Sequence, residues 1–299
     1  MTLTGWIIYN GSLYNEKFID YANMLETSAR KQGHDIIQIR NDELISLLTK
    51  QDFKVKKNRE ISTPDYILFT DKDIYLAYQL EAIGFKLFNS AKSIELSDDK
   101  IRSYQVLSEK MLPIPKTFIA PKFFKNTIEL SNNFIDGVKK ELEFPFIIKE
   151  AFGSFGEQVY LVHNQADIDD TLKKINNRPY LCQAFIESSY GVDLRLQVIG
   201  DKVVTAMKRT STNDFRANIT SGGSMQSYQP DDFEKNLAIE ATKALGLDFA
   251  GVDLLFGPND TRIICEVNSN AHIRNLYDCT GINVADLMLD YVKAMIIDE

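Results

Sequence analysis

The chain has 299 residues, 44% hydrophobic and 25% charged, with a formal net charge of -8 and a pI near 5.1. That length supports a sizeable core and two or three compact units. The acidic balance excludes a general nucleic-acid binder, whose phosphate contacts call for a basic surface. The N-terminus, Met1-Thr-Leu-Thr-Gly-Trp6, has no basic region followed by an apolar signal core, and no apolar run approaches a membrane span. A cytoplasmic protein with no membrane partner is expected. Cys182, Cys265 and Cys279 form an odd set without CxxC spacing, which suggests buried thiols rather than disulfides or a zinc site.

The first third alternates strand and helix signals. Trp6 to Tyr9 reads as a strand, and Phe18, Tyr21, Leu25 and Ala29 share one helical face that Gly33 closes. Ile36 to Ile39 follows as a strand, then Tyr66 to Phe69, a helix from Tyr75 to Ile83 stopped by Gly84, and a strand from Phe85 to Phe88. Such alternation predicts an open parallel sheet covered by helices. A helix from Asp98 to Lys110 with Ser97 as cap marks a boundary, so a first unit over 1–96 is expected.

A strand, a helix (Asn126 to Glu141), strands at Phe146 to Lys149 and Val159 to Val162, and a helix from Ile168 to Ile175 predict a small α+β lid over 97–183. The remainder, 184–299, switches to antiparallel signals. Asp193 to Ile199 turns at Gly200-Asp201 into Lys202 to Arg209, and Phe215 to Tyr228 reads as a loop. A helix from Asp232 to Leu245 ends at Gly246, and a second hairpin runs from Phe249 to Phe256 and back through Arg262 to Val267.

With a two-residue turn on Asn259 and Asp260, Asp253 lies opposite Glu266, and Asn268 points to the same side. Two like charges across neighbouring strands destabilise the pair unless something positive intervenes. A Mg²⁺ ion suits these oxygen ligands; a solvated acidic hairpin is the alternative. The segment from Lys149 through Gly153-Ser-Phe-Gly156 places a Lys before a small loop with free backbone N–H groups, which fits either a phosphate cradle or a tight turn. Lys208, Arg209 and Arg216 form a basic concentration near the hairpin, and Lys100 lies on an amphipathic helix; solvated charge is the plain reading of each.

In order, these segments resemble the RimK-type branch of the ATP-grasp carboxylate-amine ligases. The blocks that carry the likeness are Asp98-Asp-Lys100; Phe144 to Lys149 with Gly153-Ser-Phe-Gly156; Gln183-Ala-Phe-Ile186 with Gly191-Val-Asp-Leu-Arg195; Asp214-Phe-Arg-Ala-Asn218 with Gly222-Gly223; and Ala250 to Asp253 through Cys265-Glu-Val-Asn268 and Thr280-Gly-Ile282. The resemblance implies an ATP-grasp fold: an N-terminal open parallel α/β domain, a small α+β lid and a C-terminal antiparallel α+β domain. It implies that Lys100, Lys149 and Lys208 contact ATP, that Gly153, Ser154, Phe155 and Gly156 form a flap, and that Gln183, Ala184, Phe185 and Ile186 form the adenine segment. Asp193 is expected to accept from ribose hydroxyls. Arg209, Arg216 and Asn218 are expected to face an acyl phosphate, with Mg²⁺, or Mn²⁺ in its place, held by Asp253, Glu266 and Asn268.

The implied activity is ADP-forming carbon–nitrogen ligation of a carboxylate, with an amino acid such as glutamate as a candidate, to an amine on an amino acid, peptide or protein tail; homo-oligomerisation is left open. An ATP-binding regulatory module and a phosphotransferase that stops at the phosphorylated acceptor are the alternatives. Two departures stand out: Gln158 replaces a further flap glycine, and Ser269-Asn-Ala-His272 replaces the family's Ser-Pro-Gly run. His272 is a candidate to touch substrate or shuttle a proton, His34 and His163 read as structural or solvated, and Asp71-Lys72-Asp73 follows a strand where open sheets bind ligands or where a helix is capped.

Overall fold

The computed structural model describes residues 2–12, 16–50, 53–57, 62–122, 128–153, 156–217 and 222–297. Apolar runs in the first third give β1 (Thr4–Tyr9), α1 (Glu16–Lys31), β2 (Asp35–Arg40), β3 (Leu44–Leu48), β4 (Phe53–Lys57), β5 (Tyr66–Phe69), α2 (Ile74–Ala82) and β6 (Leu87–Phe88). The order β2-β1-β5-β6 is wholly parallel. Trp6, Ile7, Ile8 and Tyr66 to Phe69 are buried on successive positions, as strands covered on both faces require. The β3–β4 hairpin stands apart from that sheet and was not among the expected strands.

The helix expected from Asp98 is two helices, α3 (Ala91–Asp98) and α4 (Lys100–Glu109). Asp99 caps α4 by accepting from the backbone N–H groups of Ile101 and Arg102. Ser97 belongs to α3, and its hydroxyl donates to the Val267 carbonyl at 2.7 Å. The acidic residue next in line took the cap because α3 carries Ser97 into its last turn.

β7 (Thr117–Ile119), α5 (Ile128–Lys139), β8 (Phe146–Glu150), β9 (Val159–Val162), α6 (Gln165–Ile175) and β10 (Tyr180–Ala184) build an antiparallel sheet of order β7-β10-β8-β9. The third sheet comprises β11 (Val192–Ile199), β12 (Lys202–Thr210), β13 (Ser224–Ser227), β14 (Phe249–Phe256) and β15 (Arg262–Asn268), with α7 (Asp232–Ala244), α8 (Arg274–Thr280) and α9 (Val284–Ile297). Its order is β13-β12-β11-β14-β15, antiparallel throughout. β13 lies inside the stretch expected to be a loop; three of its four residues are exposed, so no apolar alternation announces it.

Alternation along β11 and β14 splits the residues of the third sheet between two faces. Leu194, Leu196, Val252, Leu254, Ile264 and Val267 share one core with Leu107 of α4 and Leu237 and Ala241 of α7. The other face carries the polar members of the same strands. Asn89, 2% exposed, joins the first sheet's chain to the third: its amide donates to the carbonyls of Phe249 and Ser269, and its oxygen accepts from the N–H groups of Asp248 and Phe249.

Candidate active site

The hairpin register places Asp253 opposite Glu266, by a different route from the one the turn implied. The loop after β14 is longer than two residues, pairing Phe256 with Arg262, and a bulge at Cys265 restores the register before Glu266. The extra residue lets Ile264 and Val267, three apart, both face the core. The Cys265 carbonyl accepts from the Tyr104 hydroxyl on α4.

Asp193 and Arg195 on β11, Arg209 on β12, Asp253 on β14 and Glu266 on β15 lie on one face, with the Asp253 and Glu266 carboxylates side by side. Arg209 Nε and Nη2 donate to the Asp193 oxygens at 2.6 and 2.7 Å, and Nη2 also stands 3.0 Å from Asp253 Oδ2. Arg195, directly across from Asp253 in register, donates to both of its oxygens, Nη2 to Oδ2 at 2.7 Å. Lys100 Nζ stands 3.4 Å from Glu266 Oε1 and donates to the Gly153 carbonyl at 3.1 Å. The two carboxylates are therefore flanked by cations on either side.

Burial opposes the charged form of Asp253, but Arg195 and Arg209 outweigh it and hold its carboxyl below the usual range. Lys100 does the same for Glu266 against the cost of leaving water. Lys149, 7% exposed at the end of β8, donates from Nζ to the Tyr104 hydroxyl at 3.1 Å. Burial disfavours its charge, yet Tyr104 together with more distant groups that include Glu266 carries its pKa above that of an ordinary lysine.

Most of these groups line a cavity of about 910 Å³, but Lys149, Tyr104 and Asp193 are not in its lining. Lys100, Arg195, Arg209, Asp253, Glu266 and Asn268 line one side, with Gly153 and Gly156 beside them. Asn10, Asn41, Asp71 and Asp73 from the parallel sheet's loops line the other, and His272 lies between. His272 packs against the rings of Phe18 and Tyr21 at 5.1 and 6.0 Å, and burial, with Lys17 and Arg195, pushes its pKa down to about 4. Asp73 caps α2 by accepting from Leu76 N–H.

Other expected residues lie elsewhere. Gln183 is buried between Tyr104 and Thr117, the Ala184 N–H donates to the Lys116 carbonyl, Phe185 packs among Tyr190 and Phe215, and the Ile186 carbonyl accepts from Ser189 N–H. Lys208, on the opposite face of β12 from Arg209, sits over the Phe256 ring at 5.3 Å. None of these lines the cavity. Asp193, expected on a ribose, accepts from Arg209 with both oxygens and is not in the cavity lining. Arg216 pairs with Asp214 at 2.7 Å and donates to the Gly156 carbonyl, bracing the end of the flap. Ser154, Phe155 and Asn218 lie outside the described residues.

Arg195 had no role assigned from sequence. Its signal was the period-two alternation Asp193, Arg195, Gln197, which places it beside Asp193 on the polar face. At Gly153, φ is +142° and an added Cβ would come within 2.2 Å of Gln158 Oε1, so the replacement of a flap glycine by Gln158 closes in on the loop's first glycine.

Three sheets around a charged cleft of this kind define an ATP-grasp architecture, and comparison with known proteins agrees. Residues 97–292 match the family model of the RimK-like ATP-grasp domain. The chain is 32% identical over 271 residues to an uncharacterised protein of Mycoplasma pneumoniae, covering 88% of this chain and 91% of that one. It is 34% identical over 215 residues to a probable alpha-L-glutamate ligase of Haemophilus ducreyi, covering 70% of this chain and 66% of that one. Among solved structures, the VanG D-Ala:D-Ser ligase of Enterococcus faecalis superposes with a TM-score of 0.77 at 18% identity, covering 99% of this chain and 100% of that one. The chain belongs to the RimK-like ATP-grasp family. No helix among the described residues is long and apolar enough to cross a membrane.

The donor set fits Mg²⁺: two carboxylates and an amide oxygen on facing strands are hard ligands, few enough to leave positions for nucleotide phosphates. Among the described residues no group of three or more His, Cys, Asp or Glu gathers for a metal.

Proposed function

We propose that the chain is an ATP- and Mg²⁺-dependent ligase that activates a carboxylate as an acyl phosphate and joins it to an amine, releasing ADP and phosphate. The observation that supports this most is the convergence of Lys100, Arg195, Arg209, Asp253 and Glu266 on one side of a single large cavity. A carboxylate is a poor acyl donor because oxide would have to leave; phosphorylation turns the leaving group into phosphate. The substrate carboxylate oxygen bonds to the γ-phosphorus as ADP departs, and the amine nitrogen then bonds to the acyl carbon as phosphate departs with the captured oxygen.

Lys100 and Lys149 supply positive charge to the terminal phosphates, and their fixed positions stabilise charge on the transferring group without reorganisation. Asp253, Glu266 and Asn268 would hold the metal, which would further neutralise phosphate charge when bound. Arg195 and Arg209, already oriented by Asp253 and Asp193, face the acyl-phosphate region. The names of relatives favour an amino acid such as glutamate as one substrate.

The test is a screen for ADP release with pairs of amino acids and candidate amine acceptors, products read by mass spectrometry. Amine-dependent ADP formation with a condensation product one water lighter than the sum of the substrates is expected. ADP formed without amide, with a phosphorylated acceptor trapped, would establish a phosphotransferase instead.

A further inference from the structure

A carboxylate in the cavity wall is buried and, among the described residues, makes no ion pair, with only the more distant positive charge of Lys72 acting on it. Asp71 follows β5, is 6% exposed and lines the cavity. Its oxygens accept from the Asn10 amide at 3.1 Å each and from the Lys72 N–H at 2.7 Å. Among the described residues no ion pair reaches it, and the ammonium group of the adjacent Lys72 pairs with Asp98 instead. Asp73 adds a second negative charge to the same wall.

Burying an ionised carboxylate without a cation is costly, and burial pushes the Asp71 carboxyl above the usual range. Its neutral donors, the Asn10 amide and the Lys72 N–H, satisfy hydrogen bonds but supply no formal positive charge. The loop lies at the carboxyl ends of the parallel strands, where open α/β sheets take ligands. Asn270, just past the metal strand, donates to the Asp71 carbonyl at 3.0 Å and ties this wall to the opposite one.

We propose that Asp71 is a binding residue for the primary ammonium group of an amino-acid-type substrate, whose positive charge completes the pairing that the protein leaves open. The contact is recognition of a protonated amine, distinct from the phosphate end of the cavity. The assignment rests on the ligase reading in taking this cavity to be a substrate site.

The test measures thermal shifts of the full-length protein with Mg²⁺–ADP, with and without each proteinogenic L-amino acid, and with its N-acetyl derivative. At least one free amino acid is expected to raise the Tm further while its N-acetyl derivative does not. Asp71→Asn is expected to weaken that amino acid by about tenfold or more, as loss of a charge-assisted contact does, and to keep the shift given by Mg²⁺–ADP alone. An N-acetyl derivative as effective as the free amino acid, undiminished affinity in Asp71→Asn, or no shift from any amino acid would overturn the assignment. The comparison of free and acetylated ligands uses the unaltered protein, so it decides even if the variant does not fold. A missing Mg²⁺–ADP shift alongside a retained amino-acid shift would remove the nucleotide reading and leave Asp71 in place.

Discussion

Glu266 and Asp253 face each other across β14 and β15 but differ in what already holds them. Asp253 is engaged by two guanidiniums, whereas Glu266 has Lys100 at 3.4 Å and a partly open approach to the cavity. Glu266→Gln is therefore expected to lower turnover at limiting Mg²⁺ by about 10²-fold or more, as removal of a group that orders transition-state charge does, with little change in Tm. Wild-type turnover of the folded variant across a Mg²⁺ titration would remove Glu266 from the metal site.

His272 yields a pH prediction. Its folded pKa, near 4, lies below the ordinary histidine value of 6.5, so between these pH values the unfolded chain binds a proton that the folded chain does not. Stability is then present in full above about 6.5 and is lost as pH falls towards 4, by about 2–3 kcal/mol. In urea titrations from pH 7 to pH 4, His272→Gln is expected to lack that part of the decline. An identical decline in both proteins would show that His272 is not the group responsible.

Much of the residue-level site was legible in the sequence, because strand alternation and turn placement bring Asp253, Glu266 and Asn268 to one side whatever the rest of the fold does. Arg195 was not, since a lone arginine in a strand carries no sign of the carboxylate across from it. The adenine-segment residues also escaped reading by position: Gln183 and Ala184 are paired within the central sheet, and only tertiary pairing decides which backbone groups remain for a ligand.

At the scale of elements, the bulge at Cys265 is the instructive case. The turn after β14 is longer than the two-residue loop that the sequence suggested, and the bulge compensates, so the key pair meets despite a misread turn. The compensation follows from the core, which needs both Ile264 and Val267 inside. Strands β3 and β13 were illegible because their half-exposed segments lack the alternation that marks a strand with a buried face, whereas β4 alternates over only four residues, Phe53 to Lys56.

The same hairpin is held from behind by Arg262, whose Nε donates to Glu234 at 2.6 Å, a residue with no solvent exposure that also forms the capping box of α7 with Asp231. Arg262→Ala leaves Glu234 buried without its cation and is expected to cost about 3 kcal/mol. Chemical denaturation would show this as a lower midpoint at unchanged slope. A loss under about 1 kcal/mol would mean that Tyr228, whose hydroxyl donates to Glu234 at 3.0 Å, and the capping N–H suffice.

At the scale of the whole molecule, the cavity exists because the parallel sheet and the third sheet are held together, and Asn89 makes four hydrogen bonds across that junction. Asn89→Ala strips partners from buried backbone groups at the start of β14 and is expected to cost about 3 kcal/mol. Faster hydrogen exchange in β14 is expected with it. Unchanged exchange there would place the coupling of the sheets elsewhere, such as the contact between α1 and α9.

The central claim is that this molecule activates a carboxylate at the terminal phosphate of ATP. Once substrates are in hand, the most direct measurement follows ¹⁸O from labelled substrate carboxylate into products. In the proposed reaction, the cations and the carboxylates of the cavity would stabilise charge moving onto the β-phosphate as the γ-group leaves. One label is therefore expected in inorganic phosphate, with ADP as co-product, because the amine expels the phosphate that captured the oxygen. Label in AMP, with pyrophosphate released, would contradict the account.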